Sequence, residues 1–151
     1  MSVDLALPIL ATVDPVASVV VLLITPDDNA HRRLEAIFGH SNWSLRRACR
    51  WEDAETHLRS GPIPVVVTGE SFDGLSWREL WRRVRACQSA APRFIVASRL
   101  ADDPLWQEVL DEGGYNVLSV PFDAREVYWV VGRAWLDWKN QLGRKTMVAA
   151  G

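Results

Sequence analysis

The chain has 151 residues, of which 48% are hydrophobic and 24% charged, and its formal net charge is -2. This length fits one domain with flanking segments, and the composition excludes a chain that is disordered throughout. The small net charge gives no general attraction to nucleic acid or to an anionic membrane, so we expect neither as a partner.

The chain begins with a predicted flexible arm, residues 1–17. Its apolar stretch has no basic start and contains Pro8 and Pro15, so neither a signal peptide nor a membrane span is expected. A continuous apolar run at 19–24 follows, which is typical of a strand buried on both faces of a parallel sheet.

Strands and helices alternate along the rest of the chain. Further strands are predicted at 43–50, 63–69, 93–98 and 115–122. Helices are predicted at 28–39, 51–61, 75–88, 102–114 and 123–143. The predicted helix caps are Asp28 or Asn29, Ser76, Asp103 and Asp123. This order predicts an α/β fold, a flavodoxin-like doubly wound sheet of five parallel strands with five flanking helices, in a single domain at 18–142. The segment 143–151 is predicted to be a frayed tail.

Four loops follow the central and outer strands of this predicted sheet. In open α/β sheets, ligands bind outside the carboxyl ends of the strands. The loops at 25–29, 68–73, 97–102 and 119–123 are therefore expected to surround one cleft.

These loops carry residue patterns in a characteristic order: "PDDNAHRRLEAIF", "PVVVTGESFDGLSWREL", "ASRLADDPLW" and "GGYNVLSVPFD". In order and spacing they resemble the receiver domain of bacterial two-component response regulators, over residues 19–142. The resemblance implies the receiver fold and a role in signal transduction.

The resemblance also implies a chemistry. In receivers an aspartate at the end of the third strand accepts a phosphoryl group beside Mg²⁺, a hard cation that prefers oxygen ligands. That position falls on Gly69, or on Glu70 if the loop is shifted by one residue. Gly69 has no side chain to phosphorylate, and Glu70 carries its carboxylate one methylene further out. The acidic pair of the family falls on Pro26 and Asp27, with Asp28 next in sequence.

The other phosphate-handling positions are changed as well. The hydroxyl residue of the family falls on Ala97, with Ser98 beside it, and the lysine falls on Val120. The aromatic switch position of the fifth strand falls on Val117. The peptide before Pro121 is commonly cis in the family, so the resemblance implies a cis bond there. Together these changes indicate a pseudo-receiver that has lost the phosphorelay chemistry.

Two alternatives remain open for the cleft. Asp27, Asp28 and Glu70 could still bind Mg²⁺, with an unusual acceptor taking phosphate. Asp27 and Asp28 are equally well explained as negative charges at the positive end of a helix dipole, so we predict no metal and no other cofactor. A flavodoxin-like cleft that has become apolar could instead bind a small molecule.

The isolated cysteines and histidines do not suggest a site. Cys49 and Cys87 show no ligand spacing and are predicted to be buried apolar residues in a reducing cytoplasm. His31, His40 and His57 are predicted to lie at the surface or its boundary.

Eight tryptophans are many for this length, and some can exceed what one core hides. On the last helix and strand, Tyr115, Tyr128, Trp129 and Trp135 are the candidates for an interface, because aromatic residues are enriched in interface cores. The resemblance implies that this face serves dimerisation and partner binding. We therefore expect a stand-alone, non-enzymatic cytoplasmic signalling protein that acts through a protein partner or as a homodimer.

Overall fold

The computed structural model describes the backbone of residues 14–150 and the side chains of residues 14–144. The strands are β1 Val20–Ile24, β2 Ser44–Ala48, β3 Val65–Thr68, β4 Ser71–Phe72, β5 Leu75–Ser76, β6 Arg93–Ser98 and β7 Asn116–Ser119. The helices are α1 Asp28–Phe38, α2 Trp51–Ser60, α3 Trp77–Ala86, α4 Asp103–Asp111 and α5 Ala124–Ala150. Most of the predicted arm, residues 1–13, lies outside the described residues.

Five of the strands form one parallel sheet in the order β2-β1-β3-β6-β7. The apolar runs in β1 and β3 are fully buried, as the sequence predicts for strands covered on both faces. β2 is more polar because it lies at an edge of the sheet. The predicted flavodoxin-like fold with five flanking helices is therefore confirmed.

Two apolar layers enclose this sheet. One face packs against α1 and α5, around Leu34 and Val131. The other face packs against α2, α3 and α4, around Leu58, Leu80 and Val109. Since all five residues are at most 1% exposed, the sheet and its loop ends have a rigid base on both sides.

The helix starts differ from the prediction at two positions. Asp27, rather than Asp28 or Asn29, caps α1 by accepting the Asn29 backbone N–H. Asp102, rather than Asp103, caps α4. The predicted caps are one or two residues late because an N-cap residue itself stands outside the helix, in extended conformation.

The last helix is longer than the sequence indicates. It continues to Ala150 instead of ending at Gly143, so the predicted tail is largely helical. A glycine inside a helix costs about 1 kcal/mol but does not break it. An added Cβ at Gly143 would meet no neighbouring atom within 4 Å, so no close packing requires glycine there.

A small hairpin between β3 and α3 was not predicted. β4 and β5 pair antiparallel around Asp73 and Gly74, which have φ angles of 53° and 79°. Two successive positive φ angles define the tight turn that favours Asp-Gly in hairpins. The dipeptide was the sequence signal for this hairpin, and it places Glu70 directly before β4.

Burial corrects the predictions for one histidine and both cysteines. His31 is fully buried, with its Nε2 2.8 Å from the Thr25 backbone oxygen, because it lies on the sheet-facing side of α1. Cys49 is exposed in the turn after the edge strand, and Cys87 is half-buried at the end of α3. Neither cysteine is fully buried, although Cys87 packs against the core.

Candidate functional site

A cleft of about 200 Å³ lies at the carboxyl ends of β1, β3, β6 and β7. All four loops that the sequence indicates contribute to it. Its lining residues are Leu23, Thr25, Asp27, Ala30, Thr68, Gly69, Glu70, Ala97, Ser98, Arg99, Val120 and Phe122. The cleft therefore lies where a doubly wound sheet places its ligands.

The position after β3 is open but has no acceptor side chain. Gly69 lines the cleft, and an added Cβ there would meet only the Ser71 backbone oxygen, at 3.7 Å. The φ angle of Gly69 lies outside the left-handed region, so the backbone does not require glycine. The backbone and the space around it would therefore accept a Cβ atom at this position.

Glu70, the alternative acceptor position, makes a defined contact across the cleft. The Ser98 hydroxyl donates a 2.7 Å hydrogen bond to the Glu70 carboxylate and accepts a 3.0 Å hydrogen bond from the Leu100 backbone N–H. Ser98 is only 4% exposed. One hydroxyl thus connects the segment before β4 to the loop between β6 and α4.

Sequence reasoning assigned the hydroxyl position to Ala97 and did not predict the role of Ser98. Both residues line the cleft, but Val66, Phe94 and Val96 lie on the sheet face shared with Ser98, opposite to that of Ala97. The sequence does contain a signal for this difference. Side chains alternate between the two faces of a strand, so Ser98 lies on the same face as Phe94 and Val96 and opposite to Ala97.

The acidic residues after β1 already form contacts within the chain. Pro26 is exposed, and Asp27 caps α1. The Asp28 carboxylate forms ion pairs with Arg32, at 3.1 Å, and with Arg47, at 2.8 Å. Both carboxylates therefore have partners in the chain itself.

This donor set does not fit a magnesium ion held as in receivers. Across the part of the chain with described side chains, no three His, Cys, Asp or Glu residues come together as a metal site would need. The hydroxyls of Thr25 and Thr68 are also engaged: Thr25 accepts the Asp27 backbone N–H, and Thr68 donates to the Ile24 backbone oxygen. Octahedral coordination by oxygen ligands would require these groups to be released.

Val120 and Arg99 also line the cleft. The resemblance assigns the family's lysine to Val120, and the Val120–Pro121 peptide bond is cis, as the resemblance implies. Arg99, next to Ser98, is exposed and contributes a cation to the cleft lining. A guanidinium at the mouth of the cleft is a different arrangement from an ammonium group held on the fifth strand.

The predicted interface aromatics divide into two groups. Tyr128 donates a hydrogen bond to the Ile37 backbone oxygen and packs edge-on against Trp43. The Trp135 indole N–H donates to the Pro15 backbone oxygen, at 2.6 Å. These two side chains therefore contact the chain's own α1 and N-terminal turn and do not face outward.

The other two predicted interface aromatics are Tyr115, directly before β7, and Trp129 on α5. Tyr115 and Val117, the switch position, are half-buried and pack against the core. Trp129 on α5 is 66% exposed. Further exposed apolar side chains are Leu100, which follows β6, Trp106 on α4 and Leu136 on α5. Large exposed apolar side chains are candidates for a contact surface.

The fold resembles several solved structures. A signal receiver domain of an HD domain-containing protein from Pseudomonas fluorescens Pf-5 is 21% identical, with a TM-score of 0.73 over 88% of this chain and 96% of that one. An adenylate cyclase structure from Rhodopirellula baltica is 12% identical, with a TM-score of 0.78 over 89% and 99%. The beryllofluoride-activated NtrC4 receiver domain dimer is 17% identical, with a TM-score of 0.69 over 79% and 98%.

These similarities to solved structures show the fold of the chain and not its function. No protein-family model matches the chain, and no curated protein matches it either. The chain has the fold of response-regulator receiver domains. Within residues 14–150, none of the helices has both the length and the apolar character needed to cross a bilayer.

Proposed function

We propose that this protein is a receiver-like signalling module of the response-regulator type that works without phosphorylation. It is non-enzymatic, acts in the cytoplasm and transmits its signal through protein–protein contacts. The contact between Glu70 and Ser98, beside an acceptor position that holds Gly69, carries this proposal.

The cleft supports this function because the hydroxyls and carboxylates of its lining form hydrogen bonds within the chain. In receivers, as the resemblance implies, a serine or threonine after the fourth strand binds the incoming phosphoryl group. Here the Ser98 hydroxyl is already bound by a carboxylate. A hydrogen bond to a charged group is stronger than one between neutral groups, so Ser98 has a constant partner in place of a transient one.

The loop between β6 and α4 is held by the same hydroxyl. The backbone N–H of Leu100 donates to Ser98, and Leu100 itself is 70% exposed. Glu70 therefore stabilises the loop that presents Leu100 toward solvent. We infer that this loop remains in one conformation, and that the contact surface does not depend on a phosphodonor.

The partner surface is the region formed by α4, β7 and α5. Trp106 and Trp129 are 41% and 66% exposed, respectively. Tryptophan is enriched in the cores of protein interfaces, so both side chains are candidates for a partner contact. NtrC4, which shares the fold, was solved as a receiver domain dimer. We propose that this protein also forms a homodimer, through its last two helices and last strand.

Sedimentation equilibrium with and without Mg²⁺ and acetyl phosphate tests this function. The proposal predicts the same association constant under both conditions. A Gly69→Ala variant, which changes the acceptor position but adds no acceptor, serves as the matched control and is expected to behave identically. An association constant that rises or falls with the phosphodonor in the unmodified protein would contradict phosphorylation independence.

A further inference from the structure

One exposed stripe on α5 contains both a protruding side chain and a hollow. The α5 stripe comprises Trp129, Arg133, Leu136 and Asn140, all of which are exposed. A hollow of about 260 Å³ lies along the same helix, lined by Tyr115, Arg133, Leu136, Asp137 and Asn140. A single protomer therefore presents an indole and, beside it, a depression next to β7.

The spacing of the α5 stripe is symmetric. Its members are separated by four, three and four residues, so reversal of the helix direction reproduces the same pattern. At 1.5 Å per residue the stripe is about 16 Å long. A twofold axis near residues 134 and 135, perpendicular to the helix, would place Trp129 against Asn140 of a second copy and Arg133 against Leu136.

We propose that the occupant of this face is a second copy of the chain, with the two α5 helices packed antiparallel so that each Trp129 fills the other's hollow. This inference rests on the proposed function, in which protein contacts on the α4, β7 and α5 face transmit the signal. Such an interface is isologous and closes after two copies. The indole of Trp129 then becomes the aromatic anchor of a pocket.

Charge favours the antiparallel arrangement over the parallel one. Arg133 stacks on the Trp129 ring of its own helix at 4.9 Å and forms no ion pair within the described part of the chain. In antiparallel packing it lies about one turn or less from Asp137 of the second copy. The Asp137 carboxylate accepts from Arg93 at 2.7 Å, and its side chain is still 52% exposed, so it can accept another donor.

A parallel arrangement lacks these complementary contacts. It would bring Trp129 against its own counterpart, leave both hollows without an occupant, and place two Arg133 guanidinium groups side by side. Like charges directly opposed across an interface are unfavourable. The same four side chains thus distinguish the two directions of packing.

Disulfide cross-linking tests the direction. In a background with Cys49→Ser and Cys87→Ser, two single-cysteine variants, Arg133→Cys and Leu136→Cys, are oxidised separately and as a mixture. The antiparallel arrangement predicts that the mixture forms heterodimeric links faster than either variant forms links with itself. Links that form within each variant and not between them would overturn the proposal in favour of parallel packing.

Substitution tests the anchor. Trp129→Ala should raise the dimer dissociation constant on the order of 30-fold, as expected for an aromatic hot spot. Val16→Ala, which truncates an exposed apolar side chain in the N-terminal turn, outside the α4, β7 and α5 face, is the matched control and should leave the constant within about twofold. Equal effects of both substitutions, or a monomeric unmodified protein, would overturn the proposal, whereas phosphorylation independence is decided separately by the phosphodonor experiment.

Discussion

The hydrogen bond between Ser98 and Glu70 can be measured as a contribution to stability. Ser98→Ala removes a 2.7 Å hydrogen bond to a carboxylate and leaves the Leu100 N–H without its 3.0 Å acceptor. Hydrogen bonds to charged groups contribute roughly 1.5–3 kcal/mol. Since Glu70 and Leu100 are both exposed and water can replace Ser98 at each, we expect the low end, about 1.5 kcal/mol.

Urea unfolding of four proteins isolates this contact: the unmodified chain, Ser98→Ala, Glu70→Ala and the double variant. A coupling free energy of about 1 kcal/mol or more is expected from this cycle. Ser119→Ala is the matched control, because Ser119 is exposed and its hydroxyl lies 3.5 Å from Glu126, so a change within about 0.5 kcal/mol is expected. Additive single substitutions would refute the reasoning, since they would mean that the two side chains do not interact.

Three further predictions concern packing, the helix cap and the metal. Gly114→Ala should destabilise the fold by roughly 1–3 kcal/mol in urea unfolding, because the added Cβ would lie 2.5 Å from Val109 Cγ1. Gly143→Ala is the control and should be neutral or stabilising, because an added Cβ there meets no atom within 4 Å. Asp27→Ala should lower the free energy of unfolding by about 1 kcal/mol, because the α1 cap is lost. Calorimetry should show no Mg²⁺ binding in the unmodified protein. Measurable Mg²⁺ heat that Asp27→Ala abolishes would contradict this. Gly69→Asp should fold, because an added Cβ there meets only the Ser71 backbone oxygen, at 3.7 Å, but should not bind Mg²⁺, because Asp27 and Asp28 keep their partners within the chain; a thermal midpoint that Mg²⁺ raises would contradict this reading of the donor set.

The fold was predictable because local and long-range signals agree in this chain. Uninterrupted β-branched runs such as Val65–Thr68 can be covered on both faces only in a parallel sheet, and alternation with helices then leaves few topologies. The length of α5 was not predictable from Gly143, since the cost of one glycine is smaller than the sum of the favourable contributions from its neighbours.

The cleft was predictable in location but not in its contacts. The loops that meet at the sheet edge follow from topology, and the losses at Gly69 and Val120 follow from the resemblance. The Glu70 contact with Ser98 spans 28 residues, and no local pattern reports a pairing across two loops. The outward positions on α5 were similarly ambiguous, because Trp135 becomes an internal contact only once the turn at Pro15 lies against it.

Phosphorylation independence is tested most directly by the intact mass of the protein after incubation with Mg²⁺ and acetyl phosphate. A receiver domain that has the acceptor aspartate serves as the positive control in the same reaction. We expect no adduct, because Gly69 offers no carboxylate and Ser98 is bound to Glu70. A stoichiometric gain of one phosphoryl group would contradict phosphorylation independence.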